Sequence, residues 1–241
     1  MHRYAALGLI GLFASHAWAQ QAPPQAEAPA PSSTPAQAQA QVQVQAQPAK
    51  SVVAMEDPLP GDRWTYEVRD EITGKVSATR ANVVTEVTPK EVSVRFKIVG
   101  TPNEGFNVYD RSWNLVDAQP WKYQPNDGSG IEMPLTVGKT WTIQSNDVNS
   151  ANGAVWKRSG TSKVVGQETV TTKAGTFETF KIETSLSRRN VNDPTRKSEI
   201  EAQTWYAPAI DHWVKRTFMA RVDKHVRANN TIELTEYGRK Q

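Results

Sequence analysis

The chain has 241 residues, a net charge of +3, four histidines and no cysteine. Without a thiol it forms no disulfide, builds no Cys-rich zinc site and offers no N-terminal cysteine for a lipid anchor. So small a charge on so long a chain also lacks the basic excess of a nucleic-acid binder.

Met1-His2-Arg3 sets positive charge ahead of an apolar run from Ala5 to Ala17, and Ala17-Trp18-Ala19 supplies the small-x-small pattern of a signal peptidase site. Residues 1–19 therefore read as an export signal, with a mature chain that starts near Gln20 in the periplasm or outside the cell. The apolar run is shorter than the roughly 20 residues of a membrane-spanning helix, and no later stretch is a better candidate, so no transmembrane segment is expected after cleavage. Cleavage also removes His2 and His16. His212 and His225 remain, too few for a three-His metal site, and neither a metal nor a cofactor is expected.

Residues 20–57 are Pro, Ala, Gln and Ser with almost no large apolar side chain, a composition that cannot offset the entropy of ordering. This segment is expected to be a disordered spacer. After Pro58 the composition shifts to Trp, Val, Thr, Phe and Ile, which marks a β domain over 58–241. Trp64, Tyr66 and Val68 share one face of a strand, and Val92, Val94, Phe96 and Ile98 share one face of another, with Ser93, Arg95 and Lys97 opposite. Turn residues such as Thr73-Gly74, Asn126-Asp127-Gly128, Asn152-Gly153 and Asn192-Asp193-Pro194 punctuate the strands. The expectation is a mainly β, antiparallel domain of about ten strands, a curled half-barrel or sandwich, with helix limited to a short turn near Pro120 to Asn126.

Gly61-Asp62-Arg63-Trp64-Thr65 returns as Gly138-Lys139-Thr140-Trp141-Thr142. This predicts two repeated meanders, about 59–100 and 136–186, with both Trp rings in one core. In the second half, Ala174-Gly175-Thr176-Phe177 and Thr179-Phe180-Lys181-Ile182-Glu183 precede Trp205-Tyr206-Ala207-Pro208 and Val214-Lys215-Arg216. With the G-x-x-W-x-Y opening, this string resembles a group of exported bacterial β domains of unknown function, remotely similar to the half-barrels of periplasmic lipoprotein carriers. The resemblance implies a secreted β-rich fold and brings no catalytic residue with it.

Chemistry is sparse. There is no Gly-x-Ser-x-Gly elbow, Asp211 and His212 are adjacent and so point to opposite faces of an extended chain, and His225 stands among Lys and Arg as a surface imidazole. Asp110, Asp117, Asp127 and Glu132 could supply a carboxylate pair for an envelope hydrolase. The basic residues Arg188, Arg189, Arg196, Lys197, Lys215, Arg216, Arg221, Lys224 and Arg227 read as protection of exposed strand edges, the alternative being a docking face for anionic lipid headgroups or cell-wall polymer. Trp113, Trp121 and Tyr123 lie in the irregular insert between the repeats and are the candidate ligand-binding residues. The reading is a non-enzymatic exported binding module for an apolar small molecule, a lipid or a segment of an envelope protein. The alternative is a tethered structural or assembly factor that acts through protein contacts.

Overall fold

The structure, a computed structural model, describes residues 54–239. The export signal and residues 20–53 of the spacer lie outside the described residues.

Twelve strands follow in order: β1 (Arg63–Asp70), β2 (Lys75–Val87), β3 (Glu91–Ile98), β4 (Glu104–Asp110), β5 (Leu115–Ala118), β6 (Trp121–Gln124), β7 (Thr140–Asn149), β8 (Val155–Thr172), β9 (Gly175–Asn190), β10 (Lys197–Ala207), β11 (His212–Val222) and β12 (His225–Gly238). Each pairs with the next, and β1 pairs antiparallel with β12 through Trp64↔Tyr237 and Val68↔Ile232, so the sheet closes into a barrel. The expected half-barrel or sandwich of about ten strands is corrected on both counts. β5 and β6 have four residues each, too few to display a period, and closure joins the first and last strands, a pairing that local alternation does not encode. The helical element of the described residues is one 3-10 turn at Pro208–Ile210, whereas the stretch from Pro120 to Asn126 contains β6.

The alternation that signals strands also decides what faces inward. On β3, Val92 and Val94 are buried, with the exposed Arg95 and the half-buried Ser93 between and beside them. On β7 the buried set is Ile143, Ser145, Asp147 and Asn149, so this wall of the barrel presents polar groups to the interior. Gly61 and Gly138 both hold positive φ, 96° and 93°, a region closed to side chains with a Cβ at little cost only for glycine. Their N–H groups donate to Val84 O and Val164 O, each at 2.8 Å. The two tryptophans that follow do not share a core. Trp64 is buried in the main cluster, while Trp141 is half-buried and packs with Ile131, Leu135, Val164 and Ile182, because the segment after β6 folds in beside β7.

One end of the barrel is sealed. Met55, inside the stretch read as spacer, is 1% exposed, and its N–H donates to Ala209 O at 2.8 Å, so the folded part starts ahead of Pro58. Asp62, fully buried, accepts from Leu59 N at 2.9 Å and from the Arg239 guanidinium at 3.0 Å, tying the two ends of the barrel strand order together. The β8–β9 hairpin outruns its neighbours. Its ladder shifts between Val164 and Gly166, and its tip returns to the sealed end, where Phe177 meets Tyr237 edge-on at 5.7 Å and Lys173 pairs with Glu67 at 2.7 Å. The opposite end carries the hairpin loops between β1 and β2, β3 and β4, β9 and β10, and β11 and β12, where Ile72, Val99, Val191 and Val226 are exposed.

Candidate functional site

The barrel encloses a cavity of about 210 Å³. Its apolar wall comes from alternate residues of several strands, among them Val68, Leu186, Ile200, Phe218 and Ile232. Towards the sealed end the lining turns aromatic, with Trp64, Tyr66, Tyr109, Trp113, His212 and Trp213. The His212 ring lies 3.9 Å from that of Trp213 and 4.5 Å from those of Trp64 and Trp113. Burial holds its pKa well below the ordinary 6.5, with the positive charge of Arg216 acting in the same direction, so the imidazole is neutral at neutral pH. Among the described residues, Trp64 Nε1 and His212 Nδ1 are buried polar atoms without a hydrogen-bond partner.

Trp113 reaches the cavity from a tight turn after β4. Its φ is +62°, a left-handed conformation that costs a bulky residue on the order of 1–3 kcal/mol and persists only where the surroundings enforce it. Here the enforcement is visible. Trp113 N donates to Asp110 O at 3.1 Å, the indole N–H donates to Asp211 Oδ2 at 3.0 Å, and the ring is 2% exposed. Asp211 accepts on its other oxygen from the Tyr206 hydroxyl at 2.7 Å. Burial pushes the Asp211 carboxyl up and those two hydrogen bonds pull against it.

A buried ionic network occupies the wall made by β6 to β9. Asp147, fully buried, accepts from Arg158 Nε and Nη2 at 3.1 and 2.9 Å and from Arg188 Nε at 2.7 Å. Arg158 Nη1 also donates to Asp127 O at 3.1 Å and stands 3.8 Å from the Asp127 carboxylate. Tyr123 lies under Arg158 at 5.3 Å, and its phenol is pushed up to about 12, chiefly by burial.

Two further arginines line the cavity. Arg80 donates to Asn82 Oδ1 at 3.0 Å and stacks on Phe96 at 3.9 Å. With the Asn107 amide oriented to satisfy both its ends, its oxygen accepts from Arg80 Nη2 and from the Tyr109 hydroxyl, each at 2.9 Å. Arg216 donates to Thr204 Oγ1 at 3.0 Å and to Ser129 O at 3.2 Å, and stacks on Trp213 at 4.2 Å. Among the described residues neither guanidinium has a carboxylate within 4.0 Å.

Of the residues singled out from sequence, Trp113 and Tyr123 line the cavity, whereas Trp121 lies 5.8 Å from the Arg188 guanidinium and does not. The four acids offered as a hydrolase pair are each engaged. Asp110 accepts from the side chains of Asn114 and Asn126 at 2.9 Å, Asp117 faces Lys122 at 3.8 Å, Asp127 accepts from Leu115 N at 2.8 Å, and Glu132 faces Lys139 at 3.8 Å. His225 is exposed. Arg188 and Arg216 do not protect edges, since a closed barrel has none. They point inward. Sequence reasoning missed Arg80, Arg158 and Arg216 as interior groups, and the available signal was their parity with buried neighbours: Arg80 shares a face with Asn82 and Val84, and Arg158 with Ser162 and Val164.

Residues 125–216 match the DUF3108-like family model. The matched stretch contains the Ala174-Gly175, Trp205-Tyr206 and Val214-Lys215-Arg216 signatures, so the resemblance to an uncharacterised exported β-domain family stands. No curated protein matches the chain. Among solved structures, a "putative lipoprotein" from Parabacteroides distasonis is similar at a TM-score of 0.51 and 14% identity, covering 77% of this chain and 99% of that one. A "putative exported protein with YmcC-like fold" from Bacteroides fragilis aligns at a TM-score of 0.45 and 18% identity, covering 78% and 100% of the two chains. The "hypothetical lipoprotein YmcC" from Escherichia coli aligns at 0.44 and 10%, covering 75% and 86%. The first of these likenesses is one of fold.

Proposed function

We propose that this chain is an exported, non-enzymatic module that holds one small apolar or lipid-like ligand inside its barrel. The observation that carries the reading is the cavity itself: an apolar wall with a floor of stacked aromatic rings, enclosed by a sheet without edges. Its 210 Å³ is below the roughly 300–1,000 Å³ of a drug-sized ligand site, which fits a single chain or a small ring compound and is too small for several acyl chains together. The non-enzymatic part rests on the four engaged acids and on an imidazole packed among rings, with no carboxylate among the described residues hydrogen-bonded to its Nδ1. Export rests on the residues at 1–19.

Native mass spectrometry of the protein taken from its own cell envelope tests the proposal. The expected spectrum carries an adduct of one small lipid-like molecule that organic extraction removes. A bare polypeptide mass from gently purified material would contradict it. The second reading, an assembly factor that works through protein contacts, is favoured by the exposed apolar side chains at the loop end, Ile72, Val99, Phe106 and Val226. Deleting residues 20–53 separates the two. A ligand carrier keeps its adduct and its role, whereas a tethered factor keeps its fold and loses its role.

A further inference from the structure

The cavity is charged as well as apolar, and its charges do not balance. Three arginines line it, Arg80, Arg158 and Arg216, against one carboxylate, Asp127. Behind the lining, Arg188 and Asp147 add one of each sign, and the Arg158–Asp147–Arg188 contacts use that carboxylate fully. The surplus falls on Arg80 and Arg216. Burial lowers the pKa of both, and only for Arg216 is there a carboxylate, Asp127, pulling the other way. Arginine nevertheless keeps its proton in a protein, so two cations stand in a low-dielectric interior with neutral hydrogen-bond partners only.

Their placement brings them to one level of the barrel. Arg80 pairs across the ladder with Tyr66 of β1, and Arg216 with Ile232 of β12, one inward-facing step further along. β1 and β12 alone separate their strands, so the two attachment points are about 14 Å apart across the strands and about 7 Å along them, and both side chains run inward from the wall. The phenols of Tyr66 and Tyr109 lie within electrostatic reach of both guanidiniums. Each guanidinium commits Nε and Nη2 to neutral acceptors, and among the described residues Nη1 of each has no partner. The indole N–H of Trp64, a residue of the same lining, is buried and likewise unpartnered.

Resting on the proposed ligand-holding role, we infer that the bound molecule is a single-chain amphiphile with an oxyanion head, a carboxylate or a phosphate ester, held between Arg80 and Arg216. Its chain runs along Val68, Leu186, Ile200, Phe218 and Ile232. An oxyanion accepts from the free Nη1 groups and supplies the negative charge that the lining is short of, while an apolar tail alone would leave Arg80 without a counter-charge and Arg216 with only the more distant Asp127.

The test is competition against the neutral probe N-phenyl-1-naphthylamine bound to the whole mature protein, with dodecanoate and dodecanol as competitors of equal chain length. In the unaltered protein dodecanoate is expected to compete at concentrations roughly ten- to a hundredfold below dodecanol, the ratio that charge-assisted hydrogen bonds provide. Arg80→Gln and Arg216→Gln should each shrink that ratio, with Arg216→Lys retaining more of it than Arg216→Gln. Equal competition by acid and alcohol overturns the inference and leaves the ligand-holding role standing. Failure of the probe and of both competitors to bind overturns the role itself. Competition by acetate or inorganic phosphate at the concentration at which dodecanoate acts would mean a site for a free anion, and overturns the amphiphile.

Discussion

Asp147 is the carboxylate that two buried guanidiniums share, and its removal leaves Arg188 without a counter-charge among the described residues and Arg158 with only Asp127, 3.8 Å away. Breaking one partner of a buried ionic group costs about 3–5 kcal/mol, far more than an exposed pair. Asp147→Asn is expected to lower the unfolding free energy by that amount in urea denaturation, whereas Glu132→Gln, at the exposed Lys139 pair, should move it by less than about 1 kcal/mol. His212 gives a pH dependence with a definite sign. Its folded pKa lies well below 6.5, so the unfolded chain takes up a proton that the folded barrel refuses. The resulting stability is complete above pH 6.5 and is lost as the pH falls, by about 1.4 kcal/mol per pH unit until the folded imidazole itself titrates. His212→Phe should flatten this part of the stability profile. Asp211, whose folded pKa is raised, acts in the opposite sense at lower pH: its contribution is present below the unfolded pKa and lost as the pH rises.

Among the elements, the β8–β9 hairpin depends on close backbone approach. A Cβ at Gly160 would come within 2.2 Å of Ser185 O and 2.5 Å of Leu186 Cβ, on the facing strand. At Gly166, beside the ladder shift, a Cβ would meet nothing within 4 Å. Gly160→Ala is therefore expected to lower the melting temperature, with a cost of about 1–3 kcal/mol for forced overpacking, and Gly166→Ala to leave it nearly unchanged. Neither difference is legible in the sequence, where both are glycines inside a Thr- and Val-rich run. What the sequence does expose is β1 and β3, where apolar residues alternate along one face: Trp64, Tyr66, Val92 and Val94 are buried, and Val68, Phe96 and Ile98 are half-buried. It hides β5 and β6, whose four residues hold no period, and it hides Met55, a lone apolar side chain in a Pro- and Ala-rich stretch.

At the level of the whole molecule, closure turns an assortment of inward-facing residues into one lining. Trp113 and Tyr123 stand out in the sequence as aromatic groups in an irregular insert, and both reach the cavity. Arg80, Arg158, Arg188 and Arg216 look like ordinary solvated charges until the barrel closes and their faces become the interior. Position on a face was readable, and the sign of that face was not, because a polar interior reverses the usual rule that charges mark the outside of a strand. The proposed function requires the interior cavity, floored by tryptophans, to hold a ligand. The most direct measurement is quenching of intrinsic tryptophan fluorescence by a bromine-bearing alkyl chain, in the unaltered protein and in Ala202→Phe, where a larger side chain is placed in the lining. Saturable quenching from Trp64, Trp113 and Trp213 that Ala202→Phe abolishes without unfolding is the expected result. Quenching that rises linearly with the chain concentration, equal in both proteins, would contradict it.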